Sequence, residues 1–361
     1  MIDTASFIST IDRRTNAILA VACSAMAFMF ISFVWVLSQA SMANAQQASS
    51  PVCKGQDLIA LYRANEPEKL AAIETEAAKT IHGESIFWKI EKEGIPASYL
   101  LGTMHMADER IANLDENQVS AFETTQTVIV ENIEALDPNG ASAAMLEYQH
   151  MTLYTDGTTL ADRLDEATLA KLKIATEDRG IPFAIAQIMQ PWLVATSVAL
   201  PSCELSAKQS GAPVLDGLIA ERAKASGKNL VGLETIGEQF SAMYGLPEEF
   251  HLNALKETLE MGNLAEDVIE TMKLLYLNGE IGMIQPLTKV VSPKTSESES
   301  FEDFNTRLIT DRNKVMAERS LPHLEKGSVF IAVGALHLPG EKGLVEEFTK
   351  AGYKLSAVPK T

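Results

Sequence analysis

The run Thr127–Val130 is short, β-branched and largely apolar, and Leu230–Leu233 repeats that build. A strand of this kind has no polar face to turn to water, so both runs are expected to be buried strands covered on both sides. Further strands are expected at Ser85–Lys92 and Ala97–Met104, separated by the turn Glu93-Gly94-Ile95-Pro96, at Val329–Val333, and near Tyr353–Val358. Helical stretches lie around them. Asp57–Lys79 is helical with a break at Pro67, Asp165 caps a helix that Gly180 and Pro182 stop, and Val214–Ser226 is closed by Gly227. Others are expected over Pro247–Glu260, Ala265–Leu277, Phe301–Ser320 before Pro322, and Gly343–Lys350. Strands alternating with helices imply an α/β fold, with a mostly parallel or mixed central sheet flanked by helices. A helical lobe is expected as an insertion between the halves, over about 139–227. Within it Ile181–Leu200 is apolar enough to resemble a membrane span, but Gln187, Gln190 and Pro191 near its middle favour a buried, kinked helix. Residues 285–300, with Pro286, Pro293 and the Ser296–Ser300 run of alternating Ser and Glu, read as an exposed loop.

At the amino end Arg13 and Arg14 precede the apolar run Ala17–Leu37, which gives way to the small and polar Ser38–Ala45. That order is the layout of a secretory signal. Ala43-Asn44-Ala45 then places cleavage before Gln46, leaving 46–361 as the exported domain, periplasmic or secreted. The same run is long enough to cross a bilayer, so an uncleaved anchor is the alternative, and contact with a membrane is expected only in that case. Asp3, Asp12, Arg13 and Arg14 cancel, which assigns the formal charge of −18 to the domain after residue 45. So acidic a surface repels nucleic acid and excludes it as a partner. Of the three cysteines, Cys53 and Cys203 lie beyond the signal. In an oxidising compartment a lone, widely spaced pair points to a structural disulfide.

The candidate chemistry lies at the strand ends. Tyr99–His105 and Phe330–His337 are each an apolar strand ending in Gly-x-x-His, and the two runs first described end in Glu131 and Glu234. A strand delivers the chain rigidly to the sheet edge, glycine permits a turn or close approach, and the side chain that follows faces the crevice. The two imidazoles are therefore expected to share one crevice. Imidazole and carboxylate are ligands for zinc, manganese, cobalt or iron, and three protein ligands with an open position make a catalytic site. A buried hydrogen-bonded cluster is the alternative. His105, His337 and Glu131 are assigned to the ion, Glu234 to the base, and Arg312 to the transition state; the residues alone would equally allow the two glutamates to exchange roles. Arg307 and Arg319 on the same helix are read as solvated, and Asp216 as a cap or ion-pair partner.

These motifs, with Val130-Glu131-Asn132, Pro191-Trp192, Val214-Leu215-Asp216, Gly232-Leu233-Glu234-Thr235, Arg312-Asn313 and Val333–Gly340, resemble the TraB/GumN family across about 53–358. The resemblance implies a domain akin to the erythromycin esterase and ChaN group, with the paired Gly-x-x-His motifs at the active site. It also implies kinship with the TIKI proteins, metal-dependent proteases that use manganese or cobalt. By motif match His105 and His337 take the histidine positions, Glu131 the acid and Arg312 the arginine; Met316 stands where many members have Trp, a change in packing. The implied function is a metal-dependent hydrolase, with a peptide or small molecule as substrate. Two rivals remain: a protein that holds haem or a small ligand on the same histidines without turnover, and one that only sequesters a peptide. No Cys-x-x-Cys-His site for covalent haem occurs.

Overall fold

The computed structural model describes residues 53–291 and 299–360. The expected signal segment and its cleavage site lie outside these residues. Six strands form one mixed sheet: β1 (Phe87–Lys92), β2 (Ile95–Thr103), β3 (Thr127–Val130), β4 (Asn229–Gly232), β5 (Val329–Gly334) and β6 (Lys354–Ala357). Their order across the sheet is β4-β3-β5-β2-β1-β6. The first four in that order run parallel, and β1 is antiparallel to both β2 and β6. The turn from β1 to β2 passes through Gly94 at φ +75°, a conformation that strongly favours glycine. Helices flank this sheet, as expected.

Both faces of the sheet are covered, and the period of two in the sequence is the reason. Leu101, Val128, Val130, Phe330 and Ala332 point into one core with Phe122, Leu215 and Ile219. Their neighbours Leu100, Ile129, Ile331 and Val333 point into the other with Val268, Met272, Met316 and Phe348. Truncating such a residue, Phe330→Ala for example, costs about 3–5 kcal/mol by the usual cavity penalty. The expectation of a buried strand at Leu230–Leu233 is corrected. β4 is an edge strand, so Leu230, Val231 and Gly232 are half-buried and only Leu233 is fully covered.

From Pro138 to Ala225 every regular element is helical. The core of these helices, around Trp192 and Leu193, is completed by Phe240, Phe250 and Phe304, from chain well beyond 139–227. The single kinked helix expected over Ile181–Leu200 is instead two helices, Phe183–Ala186 and Pro191–Ala199, because Pro191 starts a new helix rather than bending an old one. All nine residues of the second are buried, so it is surrounded on every side. The expected loop is also corrected in part. Residues Ile284–Val291 form a helix that buries Ile284, Pro286 and Leu287, with the proline tolerated in the first turn, while 292–298 lie outside the described residues. Pro322 does not stop its helix, which runs over Asp311–Leu324 with the proline in its last turns.

Cys53 and Cys203 are joined, with Cα atoms 5.4 Å apart and a sequence separation of 150. The bridge fastens the start of the described chain to the helix Ser202–Gln209, while Gln56 and Leu58 donate to Asp267 and Thr271 on the helix Leu264–Asn278. Replacing both cysteines by alanine is expected to lower the unfolding free energy in urea by roughly 2–5 kcal/mol, since so long a loop restricts the unfolded chain strongly. Two free thiols from this pair in denatured, unreduced protein would contradict the bridge.

Candidate functional site

The parallel strands β4, β3, β5 and β2 deliver their carboxyl ends to one edge of the sheet. Glu234, Glu131, His337 and His105 follow those ends in that spatial order. Gly334, the last residue of β5, shows how close they come. A Cβ there would stand 3.0 Å from Glu131 Oε1, 3.5 Å from His337 Cδ2 and 4.0 Å from His105 Nε2. The glycine of the second Gly-x-x-His motif therefore leaves room for the acid, and its N–H donates to Glu131 Oε1 at 2.5 Å. The glycine of the first motif serves the backbone instead. At Gly102 a Cβ would meet Ala335 Cα at 2.8 Å, so its absence allows the turn after β5 to pack on β2.

Each imidazole is oriented through Nδ1. His337 Nδ1 donates to Asn313 Oδ1 at 2.5 Å, and Asn313 Nδ2 donates to Lys342 O, which fixes the direction of the amide. His105 Nδ1 lies 2.8 Å from Asp216 Oδ2, and the other oxygen of Asp216 accepts from Thr103 Oγ1. Nε2 is thus the remaining nitrogen on both rings, buried and without a hydrogen-bond partner. Burial, reinforced by the Arg312 charge, pushes the His337 pKa down to about 3, so its Nε2 carries a lone pair. Burial also opposes a charge on His105, but Asp216 and Glu131 outweigh it and raise its pKa. A buried ring nitrogen that makes no hydrogen bond within the chain is uncommon, because burial costs it the bond it made to water.

Arg312 spans the two glutamates. Its Nε and Nη2 grip Glu234, at 2.9 and 2.6 Å for the shortest contacts, and Nη2 also donates to Glu131 Oε2 at 3.0 Å. A π turn over Thr306–Thr310 leads into its helix, and Nη1 donates back to Leu308 O. Such turns recur at functional sites. Burial would raise the Glu131 pKa; Arg312, His337 and His105 overcome that and hold it at about 2. None of the residues His105, Glu131, Asp216, Glu234, Arg312 and His337 is more than 7% exposed. Three carboxylates here face one permanent cation, an excess of negative charge offset in part by the raised basicity of His105 and by Lys208, whose pKa burial pushes down to about 7.

Fold stability is a poor reason for such a cluster. Each close pair gains about 4 kcal/mol at an effective dielectric of 20, while removing each ion from water costs several kcal/mol. A divalent cation that displaced the His105 proton and accepted both Nε2 lone pairs would satisfy these nitrogens and the excess negative charge together. The ligand atoms do not already form a closed cage. Among the described residues, the group of three with all atoms within 4.8 Å of one another is Cys53, Cys203 and Glu266, and its cysteines are spent in the disulfide.

All five residues assigned from sequence, His105, Glu131, Glu234, Arg312 and His337, are therefore brought together. Arg307 is exposed, as read. Arg319 is not merely solvated: it pairs with Glu238 and donates to Leu233 O, beside Glu234. Sequence reasoning missed Lys208 and Glu204, both buried. Lys208 Nζ donates to His105 O at 2.6 Å, and Glu204 accepts from Ala107 N and from Lys273, fixing the loop after His105. Their spacing of four on one helix would have been read as an exposed ion pair.

The sequence profile of the TraB/PrgY/gumN family matches residues 86–357. Metalloprotease TIKI1 of Danio rerio is 25% identical, with 76% of this chain and 63% of that protein covered. Metalloprotease TIKI homolog of Nematostella vectensis is 24% identical over 76% of this chain and 67% of its own. Uncharacterized protein YbaP of Escherichia coli (strain K12) is 23% identical over 68% and 85%. The chain thus spans less than two thirds of the length of the Danio rerio relative. No solved structure matches it.

Arg312→Met is expected to destabilise the protein by about 3–5 kcal/mol, since it strands two buried carboxylates. Adding Glu234→Gln should recover part of that loss in urea titrations. Because Glu131 is held at about 2, below its ordinary 4.5, its contribution is full above pH 4.5 and is lost as pH falls through 2. Stability measured between pH 5 and 2 should therefore fall less steeply in Glu131→Gln.

Proposed function

The chain belongs to the TraB/PrgY/gumN family, and from that premise we propose that it is an exported, metal-dependent hydrolase that acts on peptides. One observation carries the reading: two buried imidazoles have Nε2 atoms that make no hydrogen bond, that of His337 lying 3.8 Å from Glu131 Oε1, with each Nδ1 already committed to an orienting side chain. Two nitrogens and a carboxylate oxygen suit zinc, manganese, cobalt or iron, and relatives named metalloproteases favour peptides as the substrate class. His105, His337 and Glu131 would hold the ion, which when bound supplies an activated water at neutral pH and polarises a carbonyl.

The remaining steps belong to the chain. Asp216 and Asn313 keep the imidazoles in the tautomer that offers Nε2. Both oxygens of Glu234 are held by Arg312, so Glu234 acts as base only once the guanidinium turns toward a substrate oxygen. Arrival of that oxygen would then release the carboxylate to take a proton from the attacking water, while Arg312 stabilises the charge that develops.

Elemental analysis of protein purified without a metal-affinity tag should find about one transition ion per chain, or one should load on dialysis against manganese or cobalt. His105→Ala and His337→Ala should each lose it while keeping the fold by circular dichroism. Protein that neither carries nor takes up an ion would end the hydrolase reading, and a Soret band would favour haem. Export is supported by the order of residues 1–45 and by a disulfide suited to an oxidising compartment. Sequencing the mature amino terminus should start at Gln46; an intact Met1 in the membrane fraction would favour the anchor.

A further inference from the structure

A cleft of about 220 Å³ adjoins the cluster, and its lining includes His105, Glu131 and Asp216. It lies between the helix Leu215–Ala225 and the segment after β3. Most of the remaining wall is apolar, with Ala135, Leu136, Pro213, Val214 and Leu218. Glu221 and Lys224 contribute one charge of each sign, so the carboxylates Glu131 and Asp216 leave the lining unfavourable to an anionic guest. The volume is below the ~300–1,000 Å³ usual for a drug-sized ligand and suits a single side chain.

Gly217 lies on the helical wall of the cleft. It stands in the second position after Leu215 in that helix and lines the cleft. Glycine inside a helix is unfavourable by about 1 kcal/mol relative to alanine, so packing usually demands it. Packing does so at Gly237, where a Cβ would strike the Tyr148 ring at 2.4 Å. It does not at Gly217, where a Cβ would meet nothing within 4 Å. The space left there belongs to the cleft. The same cleft is bordered by His105, whose buried Nε2 makes no hydrogen bond within the chain.

We propose that this cleft receives an aliphatic side chain of the peptide substrate, beside the bond presented to the His105 and Glu131 cluster, and that Gly217 sets the size of residue admitted. The inference rests on the hydrolase reading for its peptide. Its physical basis is that apolar walls gain when an apolar guest releases water, whereas an anionic guest loses hydration and meets the carboxylates Glu131 and Asp216.

Blocked alanine pentapeptides with leucine, alanine or aspartate at the central position test this, by calorimetry on the intact metal-free protein. The leucine peptide is expected to bind at least about tenfold more tightly than the aspartate peptide. Gly217→Leu should remove that preference, and Gly217→Ala should reduce it while keeping or raising the thermal midpoint, since alanine favours the helix. The alanine variant decides the matter if the leucine variant does not fold. Equal binding of the leucine and aspartate peptides, or a preference that survives both substitutions, would overturn the assignment. Mass spectrometry after adding manganese separates the two readings: selective binding without cleavage removes the hydrolase and keeps the cleft, whereas cleavage without leucine preference does the reverse.

Discussion

The guanidinium of Arg312 lies between two carboxylates that would otherwise repel each other in a place with almost no water. Glu131 and Glu234 follow adjacent parallel strands, and even their backbones are joined, Glu234 N donating to Glu131 O at 2.7 Å. A sheet that sends two acids to the same edge needs a cation there, and arginine is suited because its planar fork serves both at once. Lysine, a compact point charge, would reach one and desolvate the other. The ion pair thus explains why a helix beginning at Asp311, far along the chain, must close over the end of β4 and β3.

With those charges held, the histidines become intelligible as an unequal pair. His337 is turned by an amide, Asn313, and is kept neutral by burial and by Arg312. His105 is turned by a carboxylate, Asp216, which raises its basicity. A carboxylate behind an imidazole makes it a stronger donor to a cation than an amide does. The proton that the negative surroundings of His105 favour and the cation proposed for the site answer the same local need for positive charge.

Much of this was legible because the strands are the most regular part of the sequence. Runs such as Thr127–Val130 and Val329–Val333 have one reading as covered strands, and parallel strands leave little freedom in where Glu131 and His337 emerge. β4 misled because its residues look like those of an interior strand, and only the spatial order of strands makes it an edge. Pro191 and Pro286 misled for a shared reason: proline signals an interruption but not whether a new helix starts there. Asp216 is an ion-pair partner, as read, but that its partner is His105 was not legible, and the roles of Asn313 and Lys208 were harder still. Thr103 and Asp216 are separated by 113 residues, Lys208 and the carbonyl of His105 by 103. A buried lysine and an exposed one have the same letter, and only the tertiary packing distinguishes them.

The helix Leu215–Ala225 joins the two halves of the site. Consecutive residues on it serve different neighbours, with Asp216 turned to His105 and Gly217 lining the apolar cleft. Its inner residues Leu215 and Ile219 are fixed in the core that covers β3 and β5. A shift large enough to widen the cleft would therefore have to pull Asp216 off His105 or disturb that core. Neither is cheap: Asp216 is buried with Thr103 as its other partner, and Ile219 is fully covered. The width of the cleft is consequently a property of the side chains on this helix more than of its motion, which is why a single glycine can determine what the cluster is offered.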